Sequence, residues 1–147
     1  MEEKVDIIKY VDDIAKKYYD EKTYQHALRV AKYVAQDNTI PTEKLEMATV
    51  LAILHDLKED TKWDGYIDEK LFPNINVQYM EFCLDLLTHN IKEEDYNSYI
   101  KKIRYSYYLY PEAYFVKKAD IKDHLMLKDT LTNKLKEKYL DALRYFL

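Results

Sequence analysis

Apolar side chains return every three or four residues along most of the chain, the spacing of amphipathic helices. The first such stretch runs from about Glu3 to Tyr19, with Val5, Ile8, Val11, Ile14, Ala15 and Tyr18 on one face. Thr23 reads as the cap of a second helix reaching about Gln36, whose buried face carries Ala27, Val30, Ala31 and Val34. Pro41-Thr42-Glu43 opens a third helix with Thr42 in the capping position. Met47, Val50, Leu51, Ile53, Leu54 and Leu57 make this helix apolar nearly all round, which predicts a central place in the fold. Asp60 to Asn76 contains the only glycine, Gly65, together with Pro73, and reads as a loop with a short helical turn from Asp68 to Phe72. Further helices are predicted over about Val77 to Thr88, Glu94 to Tyr108 and Pro111 to Lys128, the proline suiting a first helical position. Thr132 caps a last helix that reaches the C-terminus.

Composition points the same way. One glycine and three prolines in 147 residues leave little punctuation for tight strand turns, so long helices joined by polar connectors are expected. The predicted fold is an all-α bundle of six to seven helices forming one domain, and the length suits a single core. A net charge of −4 argues against a protein that coats nucleic acid, so no nucleic-acid partner is expected. A small phosphorylated ligand stays open, because a local group of lysines can act within an acidic protein. The single cysteine, Cys83, excludes an internal disulfide and a cysteine-based zinc site. Met1-Glu2-Glu3-Lys4 lacks the basic start of a signal peptide and no apolar run is long enough to span a bilayer, so a cytoplasmic, membrane-free protein is expected.

Four histidines occur, His26, His55, His89 and His124, each on or at the end of a predicted helix. His55 stands beside Asp56 near the end of the most apolar helix, and Glu59 and Asp60 follow four residues later on the same face. Acids and an imidazole near a core are unfavourable unless paired, protonated or bound to a cation. Imidazole with carboxylate suits a divalent first-row ion, manganese foremost, with iron, cobalt or zinc as options. His55 and Asp56 cannot complete a coordination sphere. His26, inside an amphipathic helix, is the natural second imidazole, and Asp120 in Val116-Lys117-Lys118-Ala119-Asp120-Ile121 the natural second carboxylate. Taken singly, each has an ordinary reading: a hydrogen-bonded core histidine, a solvated helix end, an aspartate paired with a lysine. A phosphorylated substrate needs cations, and Lys17, Arg29, Lys101, Arg104, Lys117 and Lys118 are available, Arg29 one turn from His26.

The order His26, His55-Asp56, Asp120 resembles the H…HD…D signature of the HD-domain phosphohydrolases, over about Tyr24 to Asp123. More narrowly, His55-Asp56-Leu57-Lys58-Glu59-Asp60-Thr61 is similar to the HDxxED motif of the alarmone (guanosine 3',5'-bis(diphosphate)) hydrolases of the stringent response. Leu87-Thr88-His89, Tyr96 to Ile100, Pro111-Glu112-Ala113 and Val116 to Asp120 resemble the later blocks of small stand-alone members. The resemblance implies a metal held by His26, His55, Asp56 and Asp120, with Glu59 and Asp60 positioning or deprotonating water. It also implies contacts from Thr88 and Tyr99 to a ribose or base. The implied reaction removes pyrophosphate from a guanosine 3',5'-bis(diphosphate)-like nucleotide. The alternatives are an HD-type phosphomonoesterase or 5'-nucleotidase, and a nucleotide-binding module without turnover. One position departs from the pattern: four residues after the last aspartate, the alarmone hydrolases carry a nucleotide-contacting asparagine, and this chain has His124. A histidine there can contact substrate or offer an extra ligand.

Overall fold

Short acidic side chains start the first two helices. In the computed structural model, which describes residues 6–127 and 129–147, Asp6 accepts from the Ile8 amide at the head of α1 (Ile7–Tyr18). Asp20 accepts from the Thr23 amide at 2.7 Å and starts α2 (Glu21–Gln36), so Thr23 lies inside the helix instead of capping it. The carboxylate one turn earlier satisfies the free amide first. Thr42 is likewise the first residue of α3 (Thr42–Leu54), behind Pro41, which offers no side-chain cap. The expected Glu3 and Val5 at the start of the first helix, and Lys128 at the end of a later one, lie outside the described residues.

α3 ends at Leu54, three residues before the apolar pattern does. Two side chains account for the stop. The Tyr19 hydroxyl donates to the Ile53 carbonyl at 2.9 Å and accepts from the Asp56 amide at 3.1 Å. His55 Nδ1 donates to the Ala52 carbonyl at 2.6 Å. Two carbonyls that would serve the next turn are thus taken by side chains, and His55 and Asp56 sit at a bend before the single turn α4 (Leu57–Asp60). The loop beyond is fastened by buried Trp63, Ile67 and Phe72 and contains a 3₁₀ turn at Glu69–Leu71. Gly65 adopts φ 84°, a left-handed conformation that a side chain would disfavour.

Asn76, Asp95 and Thr132 cap α5 (Val77–Leu87), α6 (Tyr96–Tyr105) and α8 (Asn133–Leu143), and Pro111 opens α7 (Pro111–Met126). The chain closes with a 3₁₀ turn at Arg144–Phe146. α6 is shorter than the pattern predicted, starting only after the Asp95 cap. Among the described residues there is no strand, seven helices have ten residues or more, and no helix is long and apolar enough to cross a membrane.

α3 is the central helix, buried at Ala48 and from Val50 to Leu54, and packed against α1, α2, α5 and α7. α7 lies across α2 and α3 and also meets α5, α6 and α8. Where α2, the end of α3 and α7 converge, the core turns polar: His26, His55, Lys117, Asp120 and Asp123 are all buried. Leu51, fully buried in α3, tests this packing. Leu51→Ala is expected to destabilise the fold by about 2–5 kcal/mol in urea unfolding, with an unchanged denaturant slope. A loss under about 1 kcal/mol would mean that α3 is not the central support.

Candidate metal centre

Helical spacing delivers the polar side chains to one place. His26 shares the buried stripe of α2 with Val30 and Val34. On α7, Lys117, Asp120, Asp123 and His124 fall three or four residues apart and share a face. The bend after α3 turns His55 and Asp56 towards both helices.

His26 Nε2 is 2.8 Å from Asp120 Oδ1 and 3.5 Å from Asp56 Oδ2. His55 Nε2 is 3.2 Å from each of the same two oxygens. The four donor atoms of His26, His55, Asp56 and Asp120 all lie within 4.8 Å of one another. Atoms bonded to one first-row ion at roughly 2.0–2.2 Å are about 3–3.5 Å apart when adjacent, which is the spacing found here. The group can hold a metal ion.

The surrounding residues aim those donors. His26 Nδ1 donates to Asp123 Oδ2 at 2.6 Å, and Asp123 Oδ1 accepts from Arg29 Nε at 2.8 Å. His55 is fixed by its bond to the Ala52 carbonyl. In both neutral imidazoles the outer nitrogen therefore holds the proton and Nε2 presents its lone pair inward, the usual support for a histidine metal ligand. Asp123 is the functional residue that sequence reasoning missed. Its signal was available, because it sits three residues after Asp120 on the same helical face.

The electrostatics show a demand for positive charge. Three carboxylates, Asp56, Asp120 and Asp123, face two permanent cations, Lys117 and Arg29. Burial raises Asp120, but the Lys117 ammonium 2.8 Å from Oδ2 and the imidazoles around Oδ1 hold it well below the usual carboxylate range. Burial pushes His26 down, but its bonds to Asp120 and Asp123 outweigh that and lift it to about 9. His55 rises well above its ordinary value: burial opposes the change, and Asp56 and Asp120 drive it. In the ion-free protein, protons on these rings supply the charge that a metal ion would otherwise bring.

A cavity of about 740 Å³ opens beside the cluster, lined by Lys22, His26, Arg29, Asp56, Asp60 and His124 among others. Asp60 is thus placed on the cavity wall. Glu59 is exposed close by, its carboxylate accepting the His89 amide. Desolvation and then, among the charges that raise them, Asp56 push both carboxyl groups up. His124 Nε2 lies 3.3 Å from Asp120 Oδ1.

The other expected substrate residues are dispersed. Lys117 is buried and spent on Asp120. The Thr88 hydroxyl donates to the Leu84 carbonyl, and buried Tyr99 donates to Leu87 while stacking on His89. Lys17 is exposed on α1, with its ammonium over the Tyr18 ring, and Lys101 is exposed on α6. Arg104 lies over Tyr114, in a separate depression shared with Lys118. No family model matches the chain, and no curated protein matches it in sequence.

Two outcomes follow from the geometry. A group whose pKa is raised by folding stabilises the fold fully below its unfolded value, here 6.5, and that contribution fades as pH rises through its folded value, about 9. For His26 the contribution is on the order of 3 kcal/mol. Chelator-treated protein should therefore melt at progressively lower temperature between pH 6.5 and 9, and saturating divalent metal should flatten that decline. Equal slopes with and without metal would contradict the site. Secondly, Asp123→Asn should keep the fold but weaken metal binding about 10- to 100-fold in a titration, through loss of His26 orientation.

Proposed function

We propose that this protein is a metal-dependent phosphohydrolase acting on a nucleotide, removing pyrophosphate from a guanosine 3',5'-bis(diphosphate)-like substrate. The observation that carries this reading is the convergence of His26, His55, Asp56 and Asp120 at ligand spacing on the wall of an open cavity. The donor set fits a divalent ion of the manganese, iron, cobalt or zinc group. Such an ion, when bound, supplies Lewis acidity towards a phosphoryl oxygen and lowers the pKa of water.

The chain's own residues do the rest. Arg29 and Lys22 give the cavity wall positive charge for phosphate. Asp60 lines the same cavity and its raised pKa suits it to take a proton and return it to a leaving oxygen. Glu59, held by the His89 amide beside Asp60, shares the task of positioning water. Asp123 and the Ala52 carbonyl keep both imidazoles turned inward.

A phosphomonoesterase of the 5'-nucleotidase type is the second reading. It is favoured by the engagement of the Thr88 and Tyr99 hydroxyls with backbone carbonyls and by His124 in place of an asparagine. A panel holding guanosine 3',5'-bis(diphosphate) and simple mononucleotides, assayed for pyrophosphate and phosphate release, separates the two. Asp56→Ala should lose both metal and turnover. Asp60→Asn and Glu59→Gln should retain metal, with rate falling by about 10²–10⁴ for the group that handles the proton. Metal-independent hydrolysis, or full activity in Asp56→Ala, overturns the proposal. A nucleotide that binds without product formation in the presence of manganese makes the protein a binding module instead.

A further inference from the structure

Across α7 from the metal group, positive charge and aromatic rings meet. Residues two apart on a helix point in nearly opposite directions, so Lys118 faces away from Asp120. It shares a cavity of about 520 Å³ with Arg104, walled by Tyr107, Tyr108, Tyr114 and Phe115 among others. That size falls within the roughly 300–1,000 Å³ usual for small-molecule sites. The cavity has no lining residue in common with the one beside the metal group.

The aromatic wall is braced from behind and open in front. The Tyr114 hydroxyl donates to the Phe146 carbonyl at 3.0 Å, and Tyr107 meets the Tyr114 ring edge-on at 4.8 Å. Arg104 lies over the Tyr114 ring. Tyr108, in the turn between α6 and α7, touches Tyr107 edge-on and is otherwise 90% exposed, which leaves its ring free to stack.

The charges beside this wall are unbalanced. Lys118 also lines an adjoining depression with Lys122 and Asp37. Asp37 is the one acidic side chain lining either hollow, and its Oδ1 already accepts from the Thr39 amide at 2.9 Å and the Thr39 hydroxyl at 2.6 Å. Among the described residues, Arg104, Lys118 and Lys122 are in no ion pair. Three cations against one acid is an excess of positive charge on a chain whose net charge is −4. A phosphate monoester carries about −1.5 to −2 at neutral pH and offers several acceptor oxygens, which complements that excess. A lone surface lysine or tyrosine is ordinary; cations and a spare ring on one small cavity suit a ligand that joins phosphate to a flat base.

We propose that this cavity is a second ligand site, distinct from the metal group, that binds a nucleoside monophosphate. Arg104 and Lys118 hold the phosphate, and the base stacks on Tyr108. The inference stands apart from the phosphohydrolase reading, because it uses none of that site's residues.

The test uses the full chain treated with chelator, so that the metal group holds no ion. Guanosine 5'-monophosphate, guanosine and inorganic phosphate are titrated in a calorimeter. The nucleotide is expected to bind saturably, with guanosine and phosphate each at least about tenfold weaker. Arg104→Ala and Lys118→Ala should each weaken the nucleotide at least about tenfold, the loss of one charged hydrogen bond. Tyr108→Ala should weaken the nucleotide and leave phosphate unchanged, whereas Arg29→Ala, beside the metal group, should leave nucleotide affinity unchanged. All four side chains are exposed or half-buried, and far-UV circular dichroism checks that each variant is folded. Absence of saturable nucleotide binding, affinity unchanged in Arg104→Ala and Lys118→Ala, or a loss confined to Arg29→Ala overturns the inference. Phosphate bound as tightly as the nucleotide also overturns it, since the rings would then contribute nothing.

Discussion

The buried carboxylate of Asp120 is the group on which the rest of the arrangement depends. It is 3% exposed, and a charge so placed is tolerated only when both oxygens are fully engaged. Lys117 serves one oxygen from the same helix, and the imidazoles of α2 and of the bend after α3 serve the other. Apolar packing brings α2, α3 and α7 together but tolerates small sliding movements. The Asp120 contacts do not, because their geometry is fixed to a few tenths of an ångström. The polar cluster therefore sets the register of three helices that the core merely gathers.

Tyr19 connects this cluster to the fold in a second way. Its hydroxyl sits between the Ile53 carbonyl and the Asp56 amide, and burial followed by the Asp56 charge pushes it far above its ordinary pKa, so it stays a neutral hydrogen-bonding group. Without such an insertion, α3 would be free to continue through Leu57 on its apolar pattern. His55 and Asp56 would then leave the helix in directions about 100° apart. The bend lets two adjacent residues direct donors at one point, and α1 is the element that holds the bend in place.

Legibility in the sequence followed the physics of range. Helix number, order and approximate extent were readable because apolar periodicity is a local signal, and α3 was recognisable as central because it is apolar on every face. The candidate metal group was readable because its members are chemically uncommon among apolar neighbours: two histidines and two aspartates. The helix starts at Asp20 and ahead of Thr42 were misassigned, since several short polar residues compete for one free amide. Asp123 was missed for another reason, although its spacing from Asp120 was there to be read. An aspartate beside lysine on an amphipathic helix looks solvated until α2 packs over it. The dispersal of Lys17, Arg104, Thr88 and Tyr99 has the same origin, because spacing along a chain says little about which faces meet across it.

The charge balance of the centre constrains how substrate and ion relate on the phosphohydrolase reading. In the ion-free protein, protons on His26 and His55 offset Asp56, Asp120 and Asp123; with both imidazoles neutral, as a metal ion requires, the carboxylates outnumber Lys117 and Arg29 and the ligand set alone opposes a phosphate. Arg29 cannot reverse this alone, because its guanidinium is already bonded to Asp123. A divalent ion reverses the sign at the cavity wall, and Coulomb attraction at a few ångströms in a poorly solvated site is worth several kcal/mol. Ion and phosphate binding are then linked: each raises the affinity of the other by the same factor. Asp123 enters this linkage twice, orienting His26 towards the ion and restraining Arg29 beside the phosphate. On that reading, a single aspartate one helical turn from a candidate ligand couples the metal group to the wall proposed to receive substrate.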